Sequence, residues 1–258
     1  MSRRISKRIL IRATNVCFYR ILNKPAQWLV RRFSKVGRRA VFHKSQFAWI
    51  PALEARWAAM QDELREVLRQ RERIPSVEEL SAEQVKIVQN QKWKSYWLYA
   101  YGRKMAGNCA RCPNTARLVE GIPGLKTAFF SILAPRAHLA EHVGYYAGFL
   151  RYHLGLIVPR DEKACRMRVG REVVRWAEGR SVVFDDTYPH EVWNDTEEER
   201  VVLFVDFARP LPLPVSWFNE IVIWVFSHTS WAQEIVENLE DRDSQPRPEI
   251  RPARMLVC

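Results

Sequence analysis

From Lys126 onward, apolar and polar positions alternate in short runs broken by turns. The segments "TAFFSILA", "AHLAEH", "LRYHLGLIV", "CRMRVG", "EVVRWAEG", "SVVFDD", "YPHEVWN" and "RVVLFVDF" each have the length and the β-branched and aromatic content of a strand. Turn-forming stretches such as "EGRS" and "NDTEEER" separate them. A succession of this kind predicts a small double-stranded β-helix of the jelly-roll or cupin type. In the last segment, period two sets Arg200, Val202, Phe204 and Asp206 on one face and Val201, Leu203 and Val205 on the other.

Helical spacing flanks this region. Ile50, Leu53, Trp57, Met60, Leu64 and Val67/Leu68 recur along residues 47–73, predicting one amphipathic helix with Pro51 in its first turn. "SVEEL" and "SAEQ" offer capping starts for a second helix within 75–91. "KWKSYWLYAYG" suits a strand or a helix end, and "CPNTARLVEGIPG" a short helix stopped by glycine and proline. After "RPLPLP", the run "VSWFNEIVIWVFSHTSWAQEIVENLE" is helical again. The expected class is therefore α+β, a β-helix core with N-terminal and C-terminal helices. Its expected parts are a basic amphipathic arm (1–45), a helical part (46–124), the core (125–212), an aromatic helix (213–240) and a loose tail (241–258).

Charge changes the picture at one end only. The formal net charge is +12, and residues 1–44 hold thirteen Lys/Arg with no Asp or Glu, so the rest of the chain is close to neutral. Such an arm suits an anionic membrane surface, a solvated extension, or phosphate contacts to nucleic acid. No nucleic-acid motif follows it, so no nucleic-acid partner is expected. No apolar run in the arm approaches the roughly 20 residues that span a bilayer, and the arm lacks the uninterrupted apolar core and small-residue cleavage site of a secretory signal. The five cysteines (17, 109, 112, 165 and 258) are odd in number, which predicts reduced thiols. Together these features lead to the expectation of a cytoplasmic protein, peripheral on the inner face of the membrane. The lone "CARC" at 109–112 lacks the partners of a zinc site.

Candidate chemistry centres on "EHVGYYAGFLRYHLGLIVP", where His142 is followed by Gly144 and then His153. Neutral imidazoles suit iron, and open positions suit oxygen activation. His142 and His190 fall on different strands and can face one mouth of a small barrel, but buried packing histidines fit the spacing equally well. His138, four residues before His142, is expected on the same face as a cavity residue. His43 and His228 are expected at the surface or in the core, and Trp176 and Trp193 as packing beside turns. Arg200 opens an inward-facing strand and needs an acid. A bidentate dicarboxylate ligand or one of Asp185, Asp186 and Asp206 would supply it.

Three stretches, "HVGYYAGFLRYHLGLIVP", "WAEGRSVVFDDTYPHEVWN" and "RVVLFVDFARPL", resemble the aspartyl/asparaginyl β-hydroxylase family of iron(II)/2-oxoglutarate dioxygenases. The resemblance runs from about Phe129 to Leu211. In "KWKSYWLYAYG", "CPNTARLVEGIPG" and "WVFSH" the flanks resemble the family's bacterial lipid A 2-hydroxylases. It implies His142 and His190 as iron ligands and Arg200 with Ser131 on the distal carboxylate of 2-oxoglutarate. Arg151 and His153 would hold the cosubstrate's other polar end. Iron(II), 2-oxoglutarate and O2 are the implied cofactor and cosubstrates. Gly144 stands where most such enzymes have Asp or Glu, a feature shared with the family's peptide-modifying members, whereas the lipid A hydroxylases have aspartate. A small residue there also suits chloride, as in iron-dependent halogenases, but the surrounding motifs resemble the hydroxylases.

The expected reaction is hydroxylation of an unactivated C–H. The flanks favour the 2-position of an acyl chain in a membrane lipid such as lipid A or an aminolipid, and Gly144 favours the β-carbon of Asp or Asn in a peptide. A non-catalytic ligand-binding or membrane scaffold barrel is the contrasting class.

Overall fold

The alternation read from the sequence becomes two antiparallel sheets in the computed structural model, which describes residues 23–81, 92–161 and 163–243. The strands are β1 Val41–Phe42, β2 Trp93–Ala100, β3 Arg103–Lys104, β4 Leu125–Leu133, β5 Ala137–His142 and β6 Phe149–Ile157. They continue with β7 Cys165–Val169, β8 Glu172–Arg175, β9 Ser181–Phe184, β10 His190–Asn194 and β11 Arg200–Ala208. The larger sheet has the order β1-β9-β6-β11-β4-β2-β3 and the smaller β5-β10-β7-β8. They pack face to face through Leu133, Val202, Leu139, Met167 and Val192, as a double-stranded β-helix.

All eight segments with strand texture form strands. The aromatic stretch "KWKSYWLYAYG" resolves as β2, paired with β4, so the larger sheet extends beyond the expected 125–212 core. At the other edge β1, from the basic arm, pairs with β9. Period two explains why β11 is buried on both sides. Val201, Leu203, Val205 and Phe207 join a helix-covered core, whereas Val202 faces the smaller sheet and Phe204 the other side chains inside the barrel.

Helices cover the outside. The predicted helix over 47–73 is two, α2 Ile50–Glu54 and α3 Trp57–Leu68, interrupted at Ala55–Arg56. The interruption corrects the single-helix expectation, and it lets Ile50 and Leu53 bury with Met60, Leu64 and Val67 in one core against the sheet. A capping box between Ser76 and Glu79 starts α4 Val77–Leu80; the rest of the predicted helix, 82–91, lies outside the described residues. After α5 Ala106–Arg111, Pro113 opens α6 Pro113–Glu120 and Gly121 closes it, as the sequence predicts. The expected C-terminal helix is also two, α7 Val215–Ser227 and α8 Ser230–Asp243, with His228 and Thr229 between them. That break turns α8 onto Leu80, Trp97, Phe129 and Phe204, where it closes one end of the barrel. From the basic arm, residues 23–32 form α1 Asn23–Arg32, and 1–22 lie outside the described residues, as does nearly all of the expected tail. Cys109, Cys112 and Cys165 are buried free thiols, and burial raises Cys109 to about 11; Cys17 and Cys258 are outside the described residues.

A buried ion pair ties the last strand to the loop before His190. Arg209 donates from Nε to Ala147 O at 2.6 Å and pairs with Asp185, both side chains being almost wholly out of solvent. Asp185 also accepts from the Thr187 backbone N–H at 3.1 Å. Arg209→Met should strand the Asp185 charge and cost about 3–5 kcal/mol, read as a lowered urea midpoint; an unchanged midpoint would mean the pair holds nothing in place.

Candidate active site

His142 ends β5 and His190 begins β10, and the two are direct cross-strand partners in the smaller sheet. A β-bulge makes this register possible: His190 and Val192 face His142 and Leu139, so two steps on β10 meet three on β5. The ring centroids are 4.1 Å apart. Each Nδ1 faces a carbonyl two residues upstream, His142 to Ala140 O at 2.7 Å and His190 to Tyr188 O at 3.0 Å. A ring nitrogen against a carbonyl must carry the proton, so each Nε2 is left with the lone pair a metal requires. Burial lowers both pKa values, His190 to about 3, keeping both rings neutral at physiological pH.

The same bulge corrects the expectation for His138. Four residues from His142 would mean a shared face on a regular strand, but the extra residue shifts the parity. His138 is exposed, bonded to Glu191 at 2.8 Å and stacked on Trp193 outside the barrel. His43 caps a short 3-10 turn by accepting from the Ser45 N–H, and His228 lies at the α7–α8 break beside Trp224.

Arg200, His153, Ser131 and His190 are all buried inside the barrel. None of the acids weighed from the sequence pairs with Arg200: Asp185 is held by Arg209, and Asp186 and Asp206 by Arg151. Arg200 Nε and Nη1 have no hydrogen-bond partner, nor do both ring nitrogens of His153 and Nε1 of Trp176. The Arg200 guanidinium lies 4.6 Å from the Trp176 ring centre, and Trp176 stacks on His153 at 6.1 Å. Burial lowers Arg200 to about 10, which leaves it a cation at neutral pH. A buried cation and donors without partners are the groups that burial leaves most in need of an anion. Trp176, read from the sequence as packing, lies buried against both Arg200 and His153. Ser131 accepts from Trp93 Nε1 at 2.9 Å.

Arg151 is differently placed. It faces Asp206 across the β6–β11 pair, with Nε to Oδ1 at 2.8 Å, reaches Asp186 at 2.9 Å, and stacks 4.3 Å over Phe204. Two carboxylates thus share one guanidinium. Burial, reinforced by Asp206 and Asp185 against the pull of Arg151, raises Asp186 to about 7. Asp186, weighed from the sequence as a partner for Arg200, is held by Arg151 instead. A Cβ added to Gly144 would collide with its carboxylate, so the carboxyl absent from position 144 has a neighbour from β10's approach loop in the same space. Among the described residues no three His, Cys, Asp or Glu side chains are grouped to hold a metal, leaving the histidine pair.

A cavity of about 660 Å³ opens beside these groups. His142, Gly144, Arg151 and Asp186 line its polar end, and Leu80, Trp97, Phe129, Phe204, Phe226 and Ile235 much of its apolar wall. Trp97, Phe129 and Phe204 stack as a ladder across three strands, at 4.4 and 4.1 Å.

A family model described as "Aspartyl/Asparaginyl beta-hydroxylase" matches residues 54–210. An ornithine lipid ester-linked acyl 2-hydroxylase of Rhizobium tropici is 37% identical over 234 residues, covering 86% of this chain and 83% of its own. The human aspartyl/asparaginyl β-hydroxylase is 28% identical over 197 residues, 69% of this chain but 25% of its own length. Human aspartate β-hydroxylase domain-containing protein 2 is 34% identical over 128 residues, 46% of this chain and 34% of its own.

Gly144→Ala should push Asp186 off Arg151 and cost about 1–3 kcal/mol, seen in urea unfolding; a neutral effect would mean the two positions do not compete for space. The metal-free protein should also lose stability as pH falls. His142, His153 and His190 all have folded pKa values below 6.5, chiefly through burial, so below that pH the unfolded chain takes up protons the folded chain refuses. Each contributes a slope of up to about 1.4 kcal/mol per pH unit, present below pH 6.5 and absent above it. Asp186, raised from 3.8 to about 7, works with the opposite sign between those values and offsets about one histidine. Urea titrations from about pH 6.5 down to 4.5 measure the net slope, and a flat profile would mean the rings are hydrated.

Proposed function

The chain belongs to the aspartyl/asparaginyl β-hydroxylase family and is a hydroxylase; from that premise we propose that it hydroxylates the 2-position of an acyl chain in a membrane aminolipid, using iron(II), 2-oxoglutarate and O2. His142 and His190 would hold the iron through Nε2, their Nδ1 protons anchored on Ala140 and Tyr188 carbonyls. The unpaired Arg200 cation supports an anionic cosubstrate. Its guanidinium would take the distal carboxylate, with the Ser131 hydroxyl beside it and His153 between Arg200 and the histidine pair. Bound iron with 2-oxoglutarate supplies the oxidising power, by oxidative decarboxylation to succinate with transfer of one oxygen atom of O2 to the substrate. Arg151 holds Asp206 and Asp186 through Nε and Nη2, and would turn its remaining nitrogen to the cosubstrate. Asp186, filling the space beside Gly144, would stand next to the iron site while held by Arg151.

One observation carries the choice of substrate: the cavity leading to His142 is walled mainly by aromatic and aliphatic side chains. An alkyl chain loses no hydrogen bonds there, whereas a peptide would leave its backbone N–H and C=O groups unsatisfied. The relative named for an ornithine lipid covers most of this chain, which agrees. Gly144, the feature favouring a peptide, is accounted for by the bulk of Asp186.

Iron-loaded protein given 2-oxoglutarate, O2 and aminolipid vesicles should form succinate and add one oxygen atom to the acyl fragment, read by mass spectrometry. His142→Ala and His190→Ala should each lose turnover at least about a hundredfold. Arg200→Gln should raise the KM for 2-oxoglutarate by about tenfold or more, the worth of one charged hydrogen bond. Equal turnover by both histidine variants would end the assignment of the pair. Unmodified lipid alongside an oxidised Asp or Asn peptide would select the peptide reading.

A further inference from the structure

Helix α7 has apolar residues all round its axis, yet one stripe faces solvent. Trp217, Ile221 and Trp224, at i, i+4 and i+7, are 66%, 59% and 61% exposed, while Asn219, Val222, Ile223 and Phe226 are buried. Its single charged side chain, Glu220, is taken by Lys126 at 2.8 Å. Leu213 just before α7 and Trp28 on α1 are similarly exposed, and α1 packs on α7 through Ala26 and Val30. Most large exposed apolar side chains of the described residues therefore lie on this one face.

Charge names the occupant. On α1, Lys24, Trp28 and Arg32 share one exposed stripe at i, i+4 and i+8, and exposed Lys35, Arg38 and Arg39 follow. Residues 1–44 contain no Asp or Glu. We propose that α1 and α7 form a docking face that seats the protein on an anionic lipid bilayer beside the mouth of the cavity. Aromatic side chains at headgroup level with flanking cations are the chemistry of an interfacial helix. The 13 residues of α7 are too few to cross a bilayer, and no described helix is long and apolar enough to do so. A second copy is the poorer occupant, because an isologous contact would set the same basic stripe against itself.

The face adjoins the cavity. Asn23, the first residue of α1, donates from Nδ2 to Tyr145 O at 3.1 Å, and Tyr145 and the exposed Val143 line the cavity mouth. Phe226, from the buried side of α7, lines the wall within. A chain leaving the bilayer would reach His142 along apolar surface. This consequence rests on the proposed acyl substrate; the docking itself does not.

The test uses the full chain, co-sedimented with vesicles of phosphatidylcholine alone or mixed with phosphatidylglycerol, and bromine-labelled acyl chains as tryptophan quenchers. The native protein should bind the mixed vesicles and be quenched. Trp217→Ser/Ile221→Ser should lower partitioning by about tenfold or more on both vesicle types, and Lys24→Glu/Arg32→Glu should do so only on the mixed ones. Binding of the apolar double variant equal to native overturns the proposal. So does a dimer that this variant converts to monomer with vesicle binding unchanged, which would assign the face to a second copy. Succinate formation with detergent-dispersed lipid, measured in parallel, should be the same in native and variant proteins. Its absence from the native protein would count against the reaction and leave the docking result intact.

Discussion

The one extra residue in β5 decides whether this barrel holds chemistry. Without the bulge, residues 138 and 142 would share a parity and the end of β5 would present another side chain opposite His190. With it, His138 turns outward to Glu191 and Trp193, and His142 comes ring to ring with His190. Backbone carbonyls then fix both rings through Nδ1. The pairing of the two rings is thus a property of strand register, secured by the apolar packing of Leu139, Val192 and Met167 in the same sheet.

Two arginines inside the same barrel meet opposite fates. Arg151 meets two carboxylates, and burial, with Asp206 and Asp185 nearby, outweighs its pull and raises Asp186. Arg200 meets no carboxylate among the described residues and keeps its charge against burial, with the Trp176 ring against its guanidinium. The other buried arginine of this region, Arg209, is by contrast paired with Asp185 and anchors the loop before His190. A group held at a cost to stability, and poised for an anion, is how a binding site differs from a core.

The apolar end of the site is built jointly by the flanking helices and by one face of the larger sheet. α8 seals one end, α7 supplies Phe226, and the Trp97–Phe129–Phe204 ladder forms a wall. The core that places the histidines can therefore stay constant while the flanking helices set what reaches them, and here those helices offer hydrocarbon.

Strand texture, the two-sided burial of β11, the ends of α6 and the candidate polar residues were legible in the sequence, because period-two alternation and turn residues are local signals. The resemblance added roles that spacing alone left open between ligands and packing. What stayed hidden was non-local. The breaks at Ala55–Arg56 and at His228–Thr229 re-aim helices onto surfaces no local pattern encodes. The bulge in β5 is visible only as a mismatch with β10. That Asp186 occupies the space beside Gly144 depends on two loops meeting 42 residues apart. By itself the sequence determined which residues alternate, where charge is concentrated and which side chains are chemically able. Tertiary structure decided which of them share one small volume and which carboxylate each arginine meets, because register, desolvation and steric exclusion act only between chain segments already brought together.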